Sequence, residues 1–183
     1  MLKIVSGWLY NDECTAPFVR QVPVRNFGAR PPGTMISLVV IHCIALPPRH
    51  YGGYNVDALF SNTLDPNAHP YFKDIAHGEF SSHLFLSRKG VITQYVSFID
   101  RAWHAGRSSY MGRAECNDYS IGIELEGSDD TPYTEEQYQS LEQVLQLLKK
   151  CYPAIENNIA GHNEVAPHRK TDPGSCFIWS RIR

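Results

Sequence analysis

Apolar positions along the chain fall into two kinds of run, and the spacing in each predicts an element. Ser37–His42 reads SLVVIH, a continuous β-branched run that predicts a buried strand. The segments SSHLFLS and VITQYVS are joined by RKG, which predicts a β-hairpin with Gly90 in the left-handed turn position. In SIGIELEG, Ile121, Ile123 and Leu125 alternate with Gly122, Glu124 and Glu126, the period of a strand with one apolar face. Helical spacing appears in TEEQYQSLEQVLQLLKKC, where Tyr138, Leu141, Leu145, Leu148 and Tyr152 share a stripe. Thr134 suits the N-cap with Gln137 closing a capping box, Glu135 and Glu136 suit the positive end, Lys149 and Lys150 the negative end, and Pro153 stops the helix. A weaker helical pattern covers Asn55 to Asn62. Residues 1–35, with VPVRNFGARPPGT, show no period and are expected to wrap over the core as an extended arm. Strands interleaved with helices predict an α/β fold, a single domain over residues 1–183 with a central mixed β-sheet flanked by helices.

Composition narrows the function classes. The 183 residues are 43% hydrophobic, enough for one buried core, and the formal net charge is -2. No block of like charges or basic face is present, which argues against a nucleic-acid partner. The segment MLKIVSGWLYNDEC lacks the apolar core and cleavage site of a signal peptide, and no apolar run is long enough to span a bilayer, so no membrane association and a cytoplasmic location are expected. Five cysteines, at 14, 43, 116, 151 and 176, are odd in number and without CxxC spacing, which predicts reduced thiols.

Candidate chemistry concentrates in AGHNEVAPHRKTDPG, a Pro- and Gly-rich loop that carries His162, Lys170 and Asp172, while His42 ends the first strong strand. Two histidines and a carboxylate are a common ligand set for catalytic zinc. Spacing alone does not link His42 to His162.

The segments VVIHCIALPP, LDPNAHPYF, SSHLFLSRKGVITQYV, RAWHAG, CNDYSIGIELEG, YTEEQYQSL and GHNEVAPHRKTDPG, taken together, resemble the zinc-dependent N-acetylmuramoyl-L-alanine amidases. Within them they resemble the cytosolic 1,6-anhydro-N-acetylmuramyl-L-alanine amidases of Gram-negative bacteria, the AmpD family, from about Trp8 to Trp179. The resemblance implies a fold shared with peptidoglycan recognition proteins and a Zn2+ ion on His42, His162 and Asp172. It implies Glu124 and Lys170 as catalytic residues, and Trp103 and His104 as residues lining the substrate groove. The activity it implies is hydrolysis of the amide bond between 1,6-anhydro-N-acetylmuramic acid and L-alanine in a small muropeptide, during peptidoglycan recycling, by a cytoplasmic monomer. Gly122, on the same strand face as Glu124, is expected to leave room for substrate.

A non-catalytic muropeptide-binding module of the same fold is the alternative; the presence of all three ligands with Glu124 and Lys170 favours the enzyme. Cys43 beside His42 raises a thiol nucleophile, but adjacent strand residues point to opposite faces, which predicts Cys43 as a bystander. His83 is expected to be structural, His69 and Asp65 to close a turn, His50, His77 and His168 to lie at the surface, Glu126 to support or face solvent, and Cys116 to be packed. Compared with the family pattern, Cys43 and Ala45 replace the commoner asparagine and serine, Gly28 a polar residue, and Glu79 and Glu115 often basic ones, differences that bear on the peptide side of the substrate.

Overall fold

The computed structural model describes residues 1–12 and 15–183. Cys14 lies outside the described residues; Cys43, Cys116, Cys151 and Cys176 are free thiols. The first 35 residues differ from a plain extended arm. β1 (Lys3–Val5) and β2 (Trp8–Tyr10) form an antiparallel ribbon, β3 (Val19–Gln21) joins the edge of the central sheet, and β4 (Phe27–Gly28) pairs with β8 (Arg101–Ala102). Strands of two or three residues are too short to carry an alternation, so they are specified by partners elsewhere in the chain. The arm is fastened by Arg30, whose guanidinium donates to the carbonyls of Ser120 and Asp118 at 2.8 Å and of Phe98 at 3.1 Å.

The expected strands and long helix form the frame. β5 (Leu38–Ile44) is followed by α1 (Asn55–Phe60), α2 (Phe72–Ile75) and the hairpin β6 (Leu84–Leu86) and β7 (Ile92–Gln94). A small ribbon, β9 (Ser109–Tyr110) with β10 (Arg113–Ala114), and the single turn α3 (Cys116–Tyr119) lead into β11 (Ser120–Glu126). Then come α4 (Glu135–Cys151), β12 (Ile159–Gly161) and α5 (His162–Val165). The six-stranded sheet has the order β12–β5–β11–β6–β7–β3. All neighbours are parallel except β6 and β7, so the hairpin supplies the antiparallel part of a mixed sheet.

One face of the sheet packs on α4. Ile121, Ile123 and Leu125 of β11 and Val39 and Ile41 of β5 share a core with Leu141, Val144, Leu145 and Leu148, which buries the apolar stripe of the helix as its spacing predicts. The capping box is present: Gln137 N–H donates to Thr134 Oγ1 at 3.2 Å, and Thr134 N–H to Gln137 Oε1 at 3.0 Å. The Gln137 amide also donates to the carbonyls of Leu86 and Glu126, at 3.2 and 3.0 Å, which ties the helix start to the ends of β6 and β11. Gly90 sits in the hairpin turn at φ 73°, and a Cβ there would lie 2.7 Å from the Glu136 carbonyl oxygen. Both the turn and the packing on α4 therefore require glycine.

The opposite face carries the chemistry. Strand alternation puts His42 and Glu124 on the face away from α4, and the register of β11 with β5 places Glu124 directly beside His42. The register of β12 with β5 sets Gly161 beside Ile41, so the chain delivers His162, the next residue, to the same place. The site therefore forms at the carboxyl ends of parallel strands, where open α/β sheets leave a crevice.

Candidate metal centre and groove

Three segments converge here: His42 from the end of β5, His162 from the first turn of α5, and Asp172 from the loop that follows. That loop has no regular structure, and Asn163 N–H holds its backbone by donating to the Asp172 carbonyl at 3.0 Å. His42 Nδ1 and His162 Nδ1 are 2.9 Å apart, with Asp172 Oδ2 at 3.2 Å from the first and 3.0 Å from the second. Both histidines are buried, and together with the half-buried aspartate they form a metal-competent cluster among the described residues.

The protons around this cluster decide what fits its centre. His162 Nε2–H donates to the Ala105 carbonyl at 3.2 Å, which leaves a lone pair on Nδ1. His42 Nε2 lies 2.9 Å from His104 Nδ1, and His104 Nε2 3.2 Å from Ser120 Oγ, a relay in which His42 Nε2 can carry the ring proton and turn its Nδ1 lone pair to the cluster. Burial keeps His42 neutral, lowering it to about 4. Burial would raise the Asp172 carboxyl, but the two imidazoles overcome this and hold it well below the usual carboxylate range. Two imidazole Nδ1 atoms and a carboxylate oxygen thus converge on one point, and a cation that displaces the shared protons would meet three lone pairs there. Tetrahedral zinc with bonds of about 2.0–2.1 Å separates its ligand atoms by about 3.3 Å, close to the spacings found. The outer hydrogen bonds from each histidine are the kind that orient imidazole ligands.

His104 explains Gly122, and the explanation differs from the expected one. A Cβ at Gly122 would lie 2.5 Å from the His104 ring, so the missing side chain makes room for this imidazole and not for substrate. Gly122→Ala is expected to push His104 off His42, destabilising the fold by about 1–3 kcal/mol as overpacking does. A lowered urea midpoint, together with weaker zinc retention, checks this. Behind His104 lies His83, whose Nδ1 accepts from Gly122 N–H at 3.0 Å and whose Nε2–H donates to the Asp100 carbonyl at 3.1 Å. It is a buried structural histidine, as expected.

Glu124 is buried, and its Oε2 finds no hydrogen-bond partner among the described residues. Burial first, and then the Asp172 carboxylate, push its carboxyl up to about 8, with Lys170 pulling the other way. A bare carboxyl beside a metal-competent cluster is an arrangement suited to exchanging a proton. Glu126, by contrast, is consumed by structure: it accepts from Arg88 N–H at 2.9 Å and from Gly52 N–H.

All seven residues singled out from the sequence, His42, Trp103, His104, Glu124, His162, Lys170 and Asp172, line one groove of about 260 Å³. Facing them is an apolar wall of Leu46, Leu59, Phe60, Ile75 and Phe80, with Tyr71 at the rim. The sequence reading did not identify this wall, because single apolar residues on short helices carry no mark that separates groove from core. Cys43 packs against the core on the α4 side, and its thiol donates to Asp129 at 3.4 Å. Burial pushes that thiol far above its usual range, which disfavours the thiolate a nucleophile needs.

With this geometry in place, comparisons with known proteins agree on one family. Residues 32–175 match the family described as N-acetylmuramoyl-L-alanine amidase. The chain is similar to the 1,6-anhydro-N-acetylmuramyl-L-alanine amidase AmpD of Citrobacter freundii, with 53% identity covering 97% of this chain and 91% of the relative. A crystal structure of a selenomethionine derivative of AmpD superposes with a TM-score of 0.92 at 51% identity, covering 99% of this chain and 97% of that one. AmpDh3 from Pseudomonas aeruginosa, in complex with an anhydromuramic pentapeptide, is more distant: TM-score 0.63 and 26% identity, covering all of this chain and 65% of that one.

Proposed function

The chain belongs to the N-acetylmuramoyl-L-alanine amidase family, and from that premise we propose that His42, His162 and Asp172 hold a catalytic zinc ion that works with Glu124 and Lys170. The reaction is hydrolysis of the amide bond between 1,6-anhydro-N-acetylmuramic acid and the L-alanine of the stem peptide, in peptidoglycan recycling. The observation that carries the metal assignment is the convergence of His42 Nδ1, His162 Nδ1 and Asp172 Oδ2 beside Glu124, whose Oε2 has no partner among the described residues. Zinc bound there would lower the pKa of water towards about 7 and polarise the scissile carbonyl.

The remaining steps fall to the chain. Glu124, aimed by a buried strand, accepts the proton of the attacking water and passes it to the departing alanine amine. Lys170, at the groove margin, donates to the lactyl carbonyl oxygen as negative charge grows on it. Trp103 offers an aromatic face beside the apolar wall for the anhydro sugar. His104 acts through His42, since both its nitrogens are engaged. Lys170→Ala is expected to keep its zinc and lose about a hundred- to a thousandfold in kcat, the usual cost of one well-aimed donor; metal analysis beside steady-state kinetics checks both halves.

The proposed setting is the cytoplasm, with the 183 residues acting as one amidase domain and as a monomer. No helix among the described residues is long and apolar enough to cross a membrane. The test of the function is incubation of zinc-loaded protein with a defined anhydromuropeptide in H₂¹⁸O, followed by mass spectrometry. The expected products are the free stem peptide and anhydro-N-acetylmuramic acid with ¹⁸O in its new carboxylate. Intact substrate would point instead to a muropeptide-binding module without catalysis.

A further inference from the structure

Of the three metal-competent residues, His42 and His162 are placed by sheet register, and Asp172 is not. It lies on an irregular loop, and something must set its position against the strand that carries His42. The fastening lies beside the ligand cluster. Asp129, in the loop after β11, accepts from the Cys43 thiol at 3.4 Å through Oδ1 and from the Thr171 hydroxyl through Oδ2. Cys43 is the residue after His42, and Thr171 the residue before Asp172. One carboxylate therefore bridges the immediate neighbours of two ligands.

The loop that carries Asp129 is itself held to the sheet. Gly127 N–H donates to the Ile44 carbonyl at 3.0 Å, and the Tyr133 hydroxyl donates to the Pro173 carbonyl at 2.8 Å. Gly174, at φ 84°, lies so close against the Asp129 backbone that no Cβ could be accommodated there. We propose that Asp129 is a positioning residue for the metal centre, pinning the Asp172 loop to the end of β5 through Thr171 and Cys43. This rests on the reading of His42, His162 and Asp172 as zinc ligands. It also gives Cys43 a role other than bystander: its thiol is a donor to the fastening.

A carboxylate ligand held on one loop contributes to affinity only as far as that loop is already in place before the metal arrives. Without the Asp129 bridge, the loop keeps its backbone ties through Asn163 and Tyr133, so the fold should survive while the ligand loses its fixed setting. Partners hydrogen-bonded to the ligands themselves typically change metal affinity by about 10- to 100-fold, which sets the scale for a tie one residue removed.

The experiment is zinc(II) competition against a chromophoric chelator, with the purified full chain and its variants stripped of metal beforehand. Asp129→Ala and Thr171→Val are each expected to weaken zinc about 10- to 100-fold. The double variant should be no weaker than the worse single one, because both changes remove the same tie. Cys43→Ser, which keeps a donor to Asp129, should retain wild-type affinity, and cobalt(II) spectra should change in Asp129→Ala but not in Cys43→Ser. Unchanged affinity in Asp129→Ala, or additive losses in the double variant, would overturn the proposal. Asp172→Ala separates the two readings: if that variant binds zinc as tightly as wild type, the ligand assignment itself has failed, and with it the basis for Asp129.

Discussion

Glu124→Gln is expected to purify with the same zinc content as the wild-type chain and to lose about a hundred- to ten-thousandfold in kcat, the range of a general acid–base contribution. Glutamine matches glutamate in size, but it cannot take up a proton at neutral pH. The strand face that holds it is fully buried and in register with β5 and β6, so the substitution should not disturb the ligands. The size of the loss follows from the Glu124 carboxyl being free to exchange protons. Its Oε2 has no partner among the described residues, and burial followed by the charge of Asp172 raises it to about 8. A dication held beside it would favour the carboxylate form and leave it a base at neutral pH. Steady-state kinetics on an anhydromuropeptide, with metal analysis of the same sample, measures the effect. A variant with near-normal kcat would remove Glu124 from the chemistry.

Asp172→Ala is expected to do more, because it acts on the metal itself. The substitution takes away the one carboxylate of the ligand set and leaves two imidazoles, their Nδ1 atoms 2.9 Å apart, to hold the metal. Zinc should then be lost to a mild chelator that the wild-type chain withstands, and turnover should fall to background. Far-ultraviolet circular dichroism should stay unchanged, since the loop carries no regular structure and its neighbours Asn163 and Tyr133 still hold it. The kinetic and metal losses should track one another, in contrast to Glu124→Gln and Lys170→Ala, where metal stays and turnover goes. Normal zinc retention in Asp172→Ala would contradict the ligand set.

The elements legible in the sequence are those that carry a long enough period or a turn signal. β5, the β6–β7 hairpin, β11 and α4 carry their own signals: a β-branched run, a turn glycine, strict alternation, and a capped stripe. The short strands of residues 1–35 and the single turns at α2, α3 and α5 carry none, because pairing or capping by distant residues specifies them. The site follows the same division. His42 and Glu124 sit on legible strands, but their approach to His162 depends on the register of β12 with β5, which no local spacing encodes; the family resemblance supplied that link. Gly122 shows the limit clearly. Its sequence reveals a missing side chain, while only the fold reveals that His104 fills the space. Asp129 lies in GSDDTP, where an aspartate looks like any turn residue until Cys43 and Thr171 are seen on either side of it.

On this reading one zinc ion, held by His42, His162 and Asp172, makes the chain an amidase. The most direct measurement is a titration: the protein is stripped with a chelator, zinc is added back in fractions of an equivalent, and cleavage of a defined anhydromuropeptide is followed at each step. The expected result is no cleavage without metal, a linear rise, and a plateau at one zinc per chain. Full activity in the stripped protein, or no cleavage at any zinc level, would contradict it.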